Sequence, residues 1–525
     1  MIDTDININS LATAISGKII GASDFRSPNG FTGIFNILKD SSEGDIVIRH
    51  WIDEKGIKIA STKNVACIIT EDPRGNSIEM AIDLKIPLIV VGKIEEANAI
   101  ALNWTIKNFA PNSRRVVISG TNGKSTTSHM IYHILKSSGF NAFTNTDSKS
   151  EYNTLIDPMV PKLISEHVLS HDEELEYIII EASEVQGWLG KLMNNHAFLM
   201  TKSVDPDVAT ITNIAIDHIG LVNSIEDVFH ETSGVAKAIR RGYLVLNNDD
   251  EKVMQMADLA NENVNTFYFT MDKCNDLKKS NENIHDYNCL NFDRKTESII
   301  YNSKAILTID ELPFSSDHFI QNTLAAISVC LSFKIEIEDI VNGVKSYKSL
   351  KRRFRKINQY PLIIDDFAHN PEGIKATINA ISTLSKGNIK ILCAIRGSRG
   401  KELNKINSEA LADAIESINN YYNINNSSNN KTNNINEVEG KIELILSSST
   451  DVVDEANFVE EFEENIFFDV LKRKNIKYIH YKNLYDALYN VYNSSNVNDI
   501  ILLIGAQGMD SAEELLKNII DEDTC

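Results

Sequence analysis

Short continuous runs of aliphatic and β-branched residues recur along this chain, each followed by a longer stretch with helical spacing. In the first hundred residues 44–48, 66–70 and 86–91 are such runs, and 95–106 carries apolar positions at helical intervals. Residues 115–119, 177–181, 208–212 and 243–247 repeat the theme. So do 362–366, 390–394, 442–446, 477–481 and 499–504. Strands that are apolar on both faces and separated by helices predict parallel sheets covered on each side, an α/β fold. Ligand-handling groups are then expected beyond the carboxyl ends of the strands. Two stretches break the pattern. Residues 262–310 are polar and irregular and predict a small β insertion, and 418–437 is asparagine-dominated and predicts a flexible surface insertion.

A chain of 525 residues exceeds what one core supports. The pattern divides into 1–109, 110–347 and 348–525: a small α/β domain, a central parallel-sheet domain beginning at Ala110-Pro111-Asn112-Ser113, and a C-terminal Rossmann-like domain containing the insertion. The junction of strand 115–119 with the helix predicted over 125–138 is Gly120-Thr121-Asn122-Gly123-Lys124-Ser125. Strand, glycine turn and helix N-terminus together make a phosphate cradle. Glycine lets backbone N–H groups approach oxyanions, Lys124 reaches the outer phosphates, and the Ser125 hydroxyl is suited to Mg²⁺. The longer form of that loop would have glycine where Ile118 stands.

The formal charge of −21, from 52 basic and 73 acidic residues, argues against a nucleic-acid partner and against an anionic membrane surface. No apolar run reaches membrane-spanning length, and the N-terminus lacks the basic and apolar regions of a signal peptide. Six cysteines without metal or disulfide spacing predict reduced, buried thiols in a cytoplasmic protein. Several polar residues fall where chemistry is expected. Glu181 ends a strand, Asn213, Asp217 and His218 follow another, and Asn248, Asp249 and Asp250 a third. A carboxylate at a buried strand end requires a cation or a cap, so Glu181 is either a metal ligand or a helix-capping residue. His218 is a second metal ligand or a hydrogen-bonded core histidine. Lys237, flanked by Val235, Ala236 and Ile239, reads by pattern as partly buried and snorkelling. Asp366 offers a carboxylate to ribose hydroxyls, with Asp365 its competitor, and Arg353 and Arg355 are either a phosphate clamp or solvated charge.

In order, these segments resemble the Mur ligase family of ATP-dependent amide-bond ligases. Gly120–Thr127 is similar to its shortened P-loop, Glu181-Ala182-Ser183 to its metal-binding acid, and Asn213-Ile214-Ala215-Ile216-Asp217-His218 to its Asn-x-x-x-Asp-His segment. Ala236-Lys237 falls where the family has a lysine that is commonly carbamylated, His318–Asn322 resembles the adenine-side motif, and Asp366-Phe367-Ala368-His369-Asn370-Pro371 the C-terminal signature. The resemblance implies ATP, two Mg²⁺ sites and a carbamylated Lys237. Gly120 to Thr126 would hold the phosphates; Ser125, Glu181, His218 and Lys237 the metals; Asn322, Arg353 and Asp366 the nucleotide; His369 and Asn370 the substrate. It implies a monomer that adds an amino acid to a UDP-linked cell-wall peptide precursor, peptidoglycan-like or pseudomurein, with a MurE- or MurF-like first domain. The family's Asp-Asn-Pro-Arg motif has no counterpart; Ser447-Ser448-Ser449-Thr450-Asp451 stands there. Folylpolyglutamate-synthase-like and cyanophycin-synthetase-like ligases share the chemistry. A nucleotide-dependent switch protein is the reading from another class.

Overall fold

The computed structural model describes residues 8–21, 34–36, 38–146, 159–171, 173–188, 191–216, 221–274, 288–382, 384, 387–429 and 441–523. The chain forms two compact units, 1–347 and 348–525.

Unit 1 contains two large sheets. The first has strands β1 (Lys18–Ile20), β2 (Ile34–Asn36), β3 (Asp45–Ile52), β4 (Cys67–Pro73) and β5 (Leu88–Val90), in the order β1-β5-β4-β3-β2. Only β1 runs antiparallel to its neighbour. Its central strands carry continuous apolar runs, Ile46–Ile48 and Cys67–Ile69, because both faces are covered there. Ile46, Ile69 and Ile89 face Trp104 of the helix Ile94–Phe109, while Val47, Ile68 and Leu88 face Ile57, Ala60 and Ala81 on the other side.

The second sheet adds β6 (Arg114–Ser119), β7 (Ala142–Thr144) and β8 (Tyr177–Glu181); a small hairpin, β9 (Gly187–Trp188) with β10 (Lys191–Leu192), stands apart from it. It continues with β11 (Val208–Ile211), β12 (Gly242–Asn247), β13 (Val264–Thr270), β14 (Cys289–Asp293), β15 (Ser298–Tyr301) and β16 (Lys304–Thr308). The order is β16-β15-β14-β13-β12-β11-β6-β8-β7, parallel from β7 to β14. From β6 the chain goes one way to β7 and β8, then crosses to β11, so the carboxyl end of β6 is a topological switch point. The polar stretch 262–310 is β as expected, but it extends this sheet rather than standing apart. Its mixed burial toward the sheet's β16 edge is what weakened the apolar signal. The cysteine expectation needs correcting. Cys274 and Cys289 form a disulfide from four residues beyond β13 to the first residue of β14, while Cys67, Cys330 and Cys393 are free and buried. Spacing could not reveal a bridge between neighbouring parallel strands; sheet pairing is what brings the two Cα atoms to 6.1 Å.

Unit 2 is a third open sheet: β17 (Arg355–Asn358), β18 (Leu362–Asp366), β19 (Ile389–Ala394), β20 (Ile442–Ser447), β21 (Tyr478–Tyr481) and β22 (Ile500–Ile504), ordered β17-β18-β22-β19-β20-β21 with β17 antiparallel. The expected insertion at 418–437 is helical over its first part. The helix Gly400–Asn429 runs into it, and 430–440 lies outside the described residues. No proline or glycine interrupts 401–429, and a helix nucleated by buried Leu403, Leu411 and Ile415 propagates cheaply.

Candidate functional site

The glycine turn sits at the switch point, between β6 and the helix Lys124–Ser137. Gly120 and Gly123 have φ of 120° and 86°. A side chain at Gly120 would strike the backbone N of Thr212 at 2.9 Å, and one at Gly123 the Asn322 amide oxygen at 2.1 Å. Both positions therefore require glycine, for conformation and for space. The turn is held from β11. Asn213 Oδ1 accepts from Asn122 N (3.0 Å), and Thr212 Oγ1 and Asn213 Nδ2 donate to Asn122 O (2.6 and 2.9 Å). Thr121 Oγ1 donates to Ala215 O (3.1 Å) and accepts from Ala215 N (2.9 Å).

Lys124 Nζ folds back onto Gly120 O (2.7 Å), Thr121 O (3.0 Å) and Glu184 Oε2 (2.7 Å). Ser125 Oγ donates to Glu181 Oε1 at 2.9 Å, and Thr126 is half-buried in the same first turn. Asn145 clamps the Glu181 backbone, accepting from its N (2.8 Å) and donating to its O (3.1 Å). Glu181 is thus presented by the end of β8 beside the loop, its carboxylate on the first turn of the helix Lys124–Ser137. The Ser125 hydroxyl and the Glu181 carboxylate are hard oxygen donors, a set that fits Mg²⁺.

The wider metal cage is not assembled among the described residues, where no three His, Cys, Asp or Glu side chains gather in metal-binding fashion. His218 and Asp217 lie outside the described residues. Lys237 stands on the short helix Gly234–Ala238 and is exposed, not partly buried, although Val235, Ala236 and Ile239 are fully buried. Glu231 is a charged group it influences. Of the residues after β12, Asp250 binds Ile214 N (2.7 Å) and Asp249 accepts from Met271 N (2.8 Å) and Gln321 Nε2 (3.3 Å). These two carboxylates brace the loops around the glycine turn.

In unit 2, Asp366 ends β18 and accepts from Phe354 N (2.8 Å) and from Thr377 Oγ1. Asp365 is fully buried against Arg352, and burial pushes its carboxyl up to about 6 against the pull of that guanidinium. The competitor to Asp366 is therefore a structural ion-pair partner. Arg353 stacks on Phe367, its guanidinium carbon 4.7 Å from the ring centre, and Arg355 pairs with Glu513 at 3.3 Å. His369 Nδ1 lies 2.9 Å from Phe367 O, and Asn370 Oδ1 accepts from Gly373 N (2.8 Å). Glu463 escaped sequence reasoning. It accepts from the backbone N of Ser398, Arg399 and Gly400 at 3.0, 3.0 and 2.8 Å, folding the Arg396–Gly400 turn around one buried carboxylate. Glu184 escaped too; its signal was a second acid three residues after Glu181, one that burial obliges to find a cation.

Two family models match the chain: the Mur ligase middle domain over residues 118–330, and the Mur ligase glutamate ligase domain over 352–507. The chain belongs to the Mur ligase family. UDP-N-acetylmuramate–L-alanine ligase of Clostridium acetobutylicum is 30% identical to this family member over 289 residues, 54% of each chain. The Clostridium perfringens ligase of that name is 27% identical over 338 residues, 58% of this chain and 65% of its own. The chain spans about half the length of the curated relatives it matches. Among solved structures, MurF from Acinetobacter baumannii superposes with a TM-score of 0.67 at 16% identity, covering 98% of both chains. MurF from Thermotoga maritima in complex with ADP gives 0.61 at 15%, covering 93% and 98%. A Yersinia pestis folylpolyglutamate synthase/dihydrofolate synthase complexed with AMPPNP and Mn gives 0.52 at 15%, covering 82% and 93%. The likeness in fold to MurF thus extends over 98% of the chain. No described helix of this Mur ligase family member is long and apolar enough to cross a membrane.

Proposed function

We propose that this protein is an ATP-dependent amide-bond ligase that adds an amino acid to a UDP-linked peptide precursor of a cell-wall polymer, releasing ADP and phosphate. The reading rests chiefly on one observation: the glycine turn presents Lys124 and Ser125 at the carboxyl end of β6, with Glu181 hydrogen-bonded to Ser125 from the neighbouring strand. ATP as substrate is supported by that geometry and by the nucleotides bound to the Thermotoga and Yersinia proteins. The near-complete coverage by MurF, against 82% for the folylpolyglutamate enzyme, favours the cell-wall class.

In the reaction an acceptor carboxylate oxygen attacks the γ-phosphate of ATP, giving an acyl phosphate and ADP; the amine of the incoming amino acid then displaces phosphate. Negative charge gathers in both steps, so positioning and electrostatics supply the rate. Lys124 exchanges Glu184 for the β- and γ-phosphates, and the backbone N–H groups of the turn hold the phosphate oxygens. Ser125 and Glu181 would hold Mg²⁺, which would neutralise phosphate charge. His218 and a carbamylated Lys237 are proposed for a second Mg²⁺, Asn322 for adenine, Asp366 and Arg353 for the nucleotide, and His369 and Asn370 for substrate. A cytoplasmic monomer with three domains, 1–109, 110–347 and 348–525, completes the proposal.

The test is an ADP-release screen of UDP-linked peptide acceptors against the twenty amino acids. ADP is expected only when acceptor and amine are both present; equal ATP hydrolysis without them overturns the ligase reading. In that assay Lys237→Ala is expected to abolish ligation without rescue by bicarbonate, and undiminished activity removes the carbamate.

A further inference from the structure

At the amino ends of β6, β11 and β12, opposite the glycine turn, lies a cleft of about 490 Å³, within the range of small-molecule sites. Its cationic lining is unusual on a chain of net charge −21. Arg114, Arg115, Arg241 and Lys334 border it, with Asp207 the one acidic residue among its lining. Arg241 is taken up by acids, its Nε on Asp207 (3.2 Å) and its Nη1 on Asp205 (3.1 Å). Arg115 is buried and spends its donors on Val204 O and Pro111 O. The other two cations differ. Arg114 is exposed and, among the described residues, uses only Nη1, on Phe333 O (2.9 Å) and Tyr177 Oη (3.4 Å), so Nε and Nη2 still have hydrogens to offer. Lys334 is exposed and makes no side-chain ion pair or hydrogen bond within the described residues. Glu174, tied to Asn112 at the edge, is a further acid nearby.

Asp205 and Asp207 are matched by two guanidiniums, Arg241 on both and Arg115 3.8 Å from Asp205, and Glu174 lies at the edge, so within the lining an oxyanion finds an arginine fork and an ammonium. Tyr243 and the Arg114–Phe333 stack, 4.6 Å from guanidinium carbon to ring centre, give the cleft flat walls. We propose that this cleft binds a small phosphate-bearing anion, the guanidinium edge of Arg114 and the Lys334 ammonium supplying the contacts. The site is separate from the glycine turn: β6 intervenes, six residues long and roughly 20 Å from end to end. Its borders are nevertheless the same elements. β6 leads into Gly120, β11 into Asn213, and the helix Asp317–Ser332, which carries Asn322 against Gly123, ends at Lys334's threshold.

Pyrophosphate and AMP are titrated calorimetrically into the full chain at low salt, with saturating Mg-ADP present to fill the glycine turn. The wild type is compared with Lys334→Gln and with Arg114→Ala/Lys334→Gln; unchanged thermal unfolding establishes that each variant is folded. Binding is expected in the wild type, weakened several-fold in the single variant and at least tenfold in the double. Tighter binding of AMP than pyrophosphate identifies a nucleotide as the source; the reverse identifies free phosphate chemistry. Absence of binding of both probes, or equal affinity in wild type and double variant, overturns the proposal. The comparison stands even if the chain proves not to be a ligase, because the variants differ only at two exposed side chains away from the loop.

Discussion

Lys124 and Ser125 begin a helix whose first turn faces a glycine loop, and each already has an acid as partner: Glu184 for the lysine, Glu181 for the serine. The two acids are not equivalent. Glu181 is half-buried beside the loop and available to a ligand, so Glu181→Gln is expected to lower kcat by roughly 10²–10³ with little loss of stability, measured as ligation rate and thermal midpoint. Glu184 is buried, and Lys124→Met would leave its charge without the lysine; ligation is expected to vanish and stability to fall by roughly 3 kcal/mol. At Gly123 the clash with Asn322 and the positive φ are separate obstacles, so Gly123→Ala is expected to weaken ADP binding in titrations beyond the loss that Asn322→Ala gives alone. In unit 2 Asp365 carries a pH signature. Its folded pKa, about 6, lies above the unfolded carboxyl value, so the stability it contributes is present below pH 4 and is lost as pH rises through 6. The stability difference between wild type and Asp365→Asn is therefore expected to shift against the wild type by up to roughly 3 kcal/mol between pH 4 and 6, and to level off above. Denaturant titrations across that range measure it.

Elements were legible to the extent that their burial was two-sided. The strands ending at Ser119, Glu181, Ile211 and Asn247 were readable because covered parallel strands are apolar at every position. The short strands of 289–308 mix buried and exposed positions, so they read as a separate β insertion rather than as a continuation of the sheet. Asparagine-rich composition concealed a helix, because propensity is a weak guide once an adjoining packed segment supplies the nucleus. The Cys274–Cys289 bridge depended on which strands pair, information that no local window contains. It closes a loop of 15 residues, so reduction is expected to destabilise unit 1 by about 3 kcal/mol while leaving unit 2 unchanged. Thermal unfolding with and without reductant tests this.

At the scale of the whole molecule, function was legible in order and spacing. A glycine turn, a strand-end acid and an asparagine just after β11 are each commonplace, but the fold places all three at one switch point. Glu184 and Glu463 stayed hidden because their work is to satisfy buried partners, which becomes visible only when those partners are in place. Division into two compact units predicts two calorimetric transitions, of which Mg-ADP should raise the one belonging to unit 1, by about 2.7 kcal/mol at a hundredfold excess over Kd. The central claim is that an acceptor carboxylate takes the γ-phosphoryl group before the amide bond forms. An acceptor labelled with ¹⁸O in that carboxylate, turned over with ATP and amino acid, tests it directly by mass analysis of the released phosphate. One labelled oxygen in each phosphate is the predicted result; phosphate free of label would contradict the account.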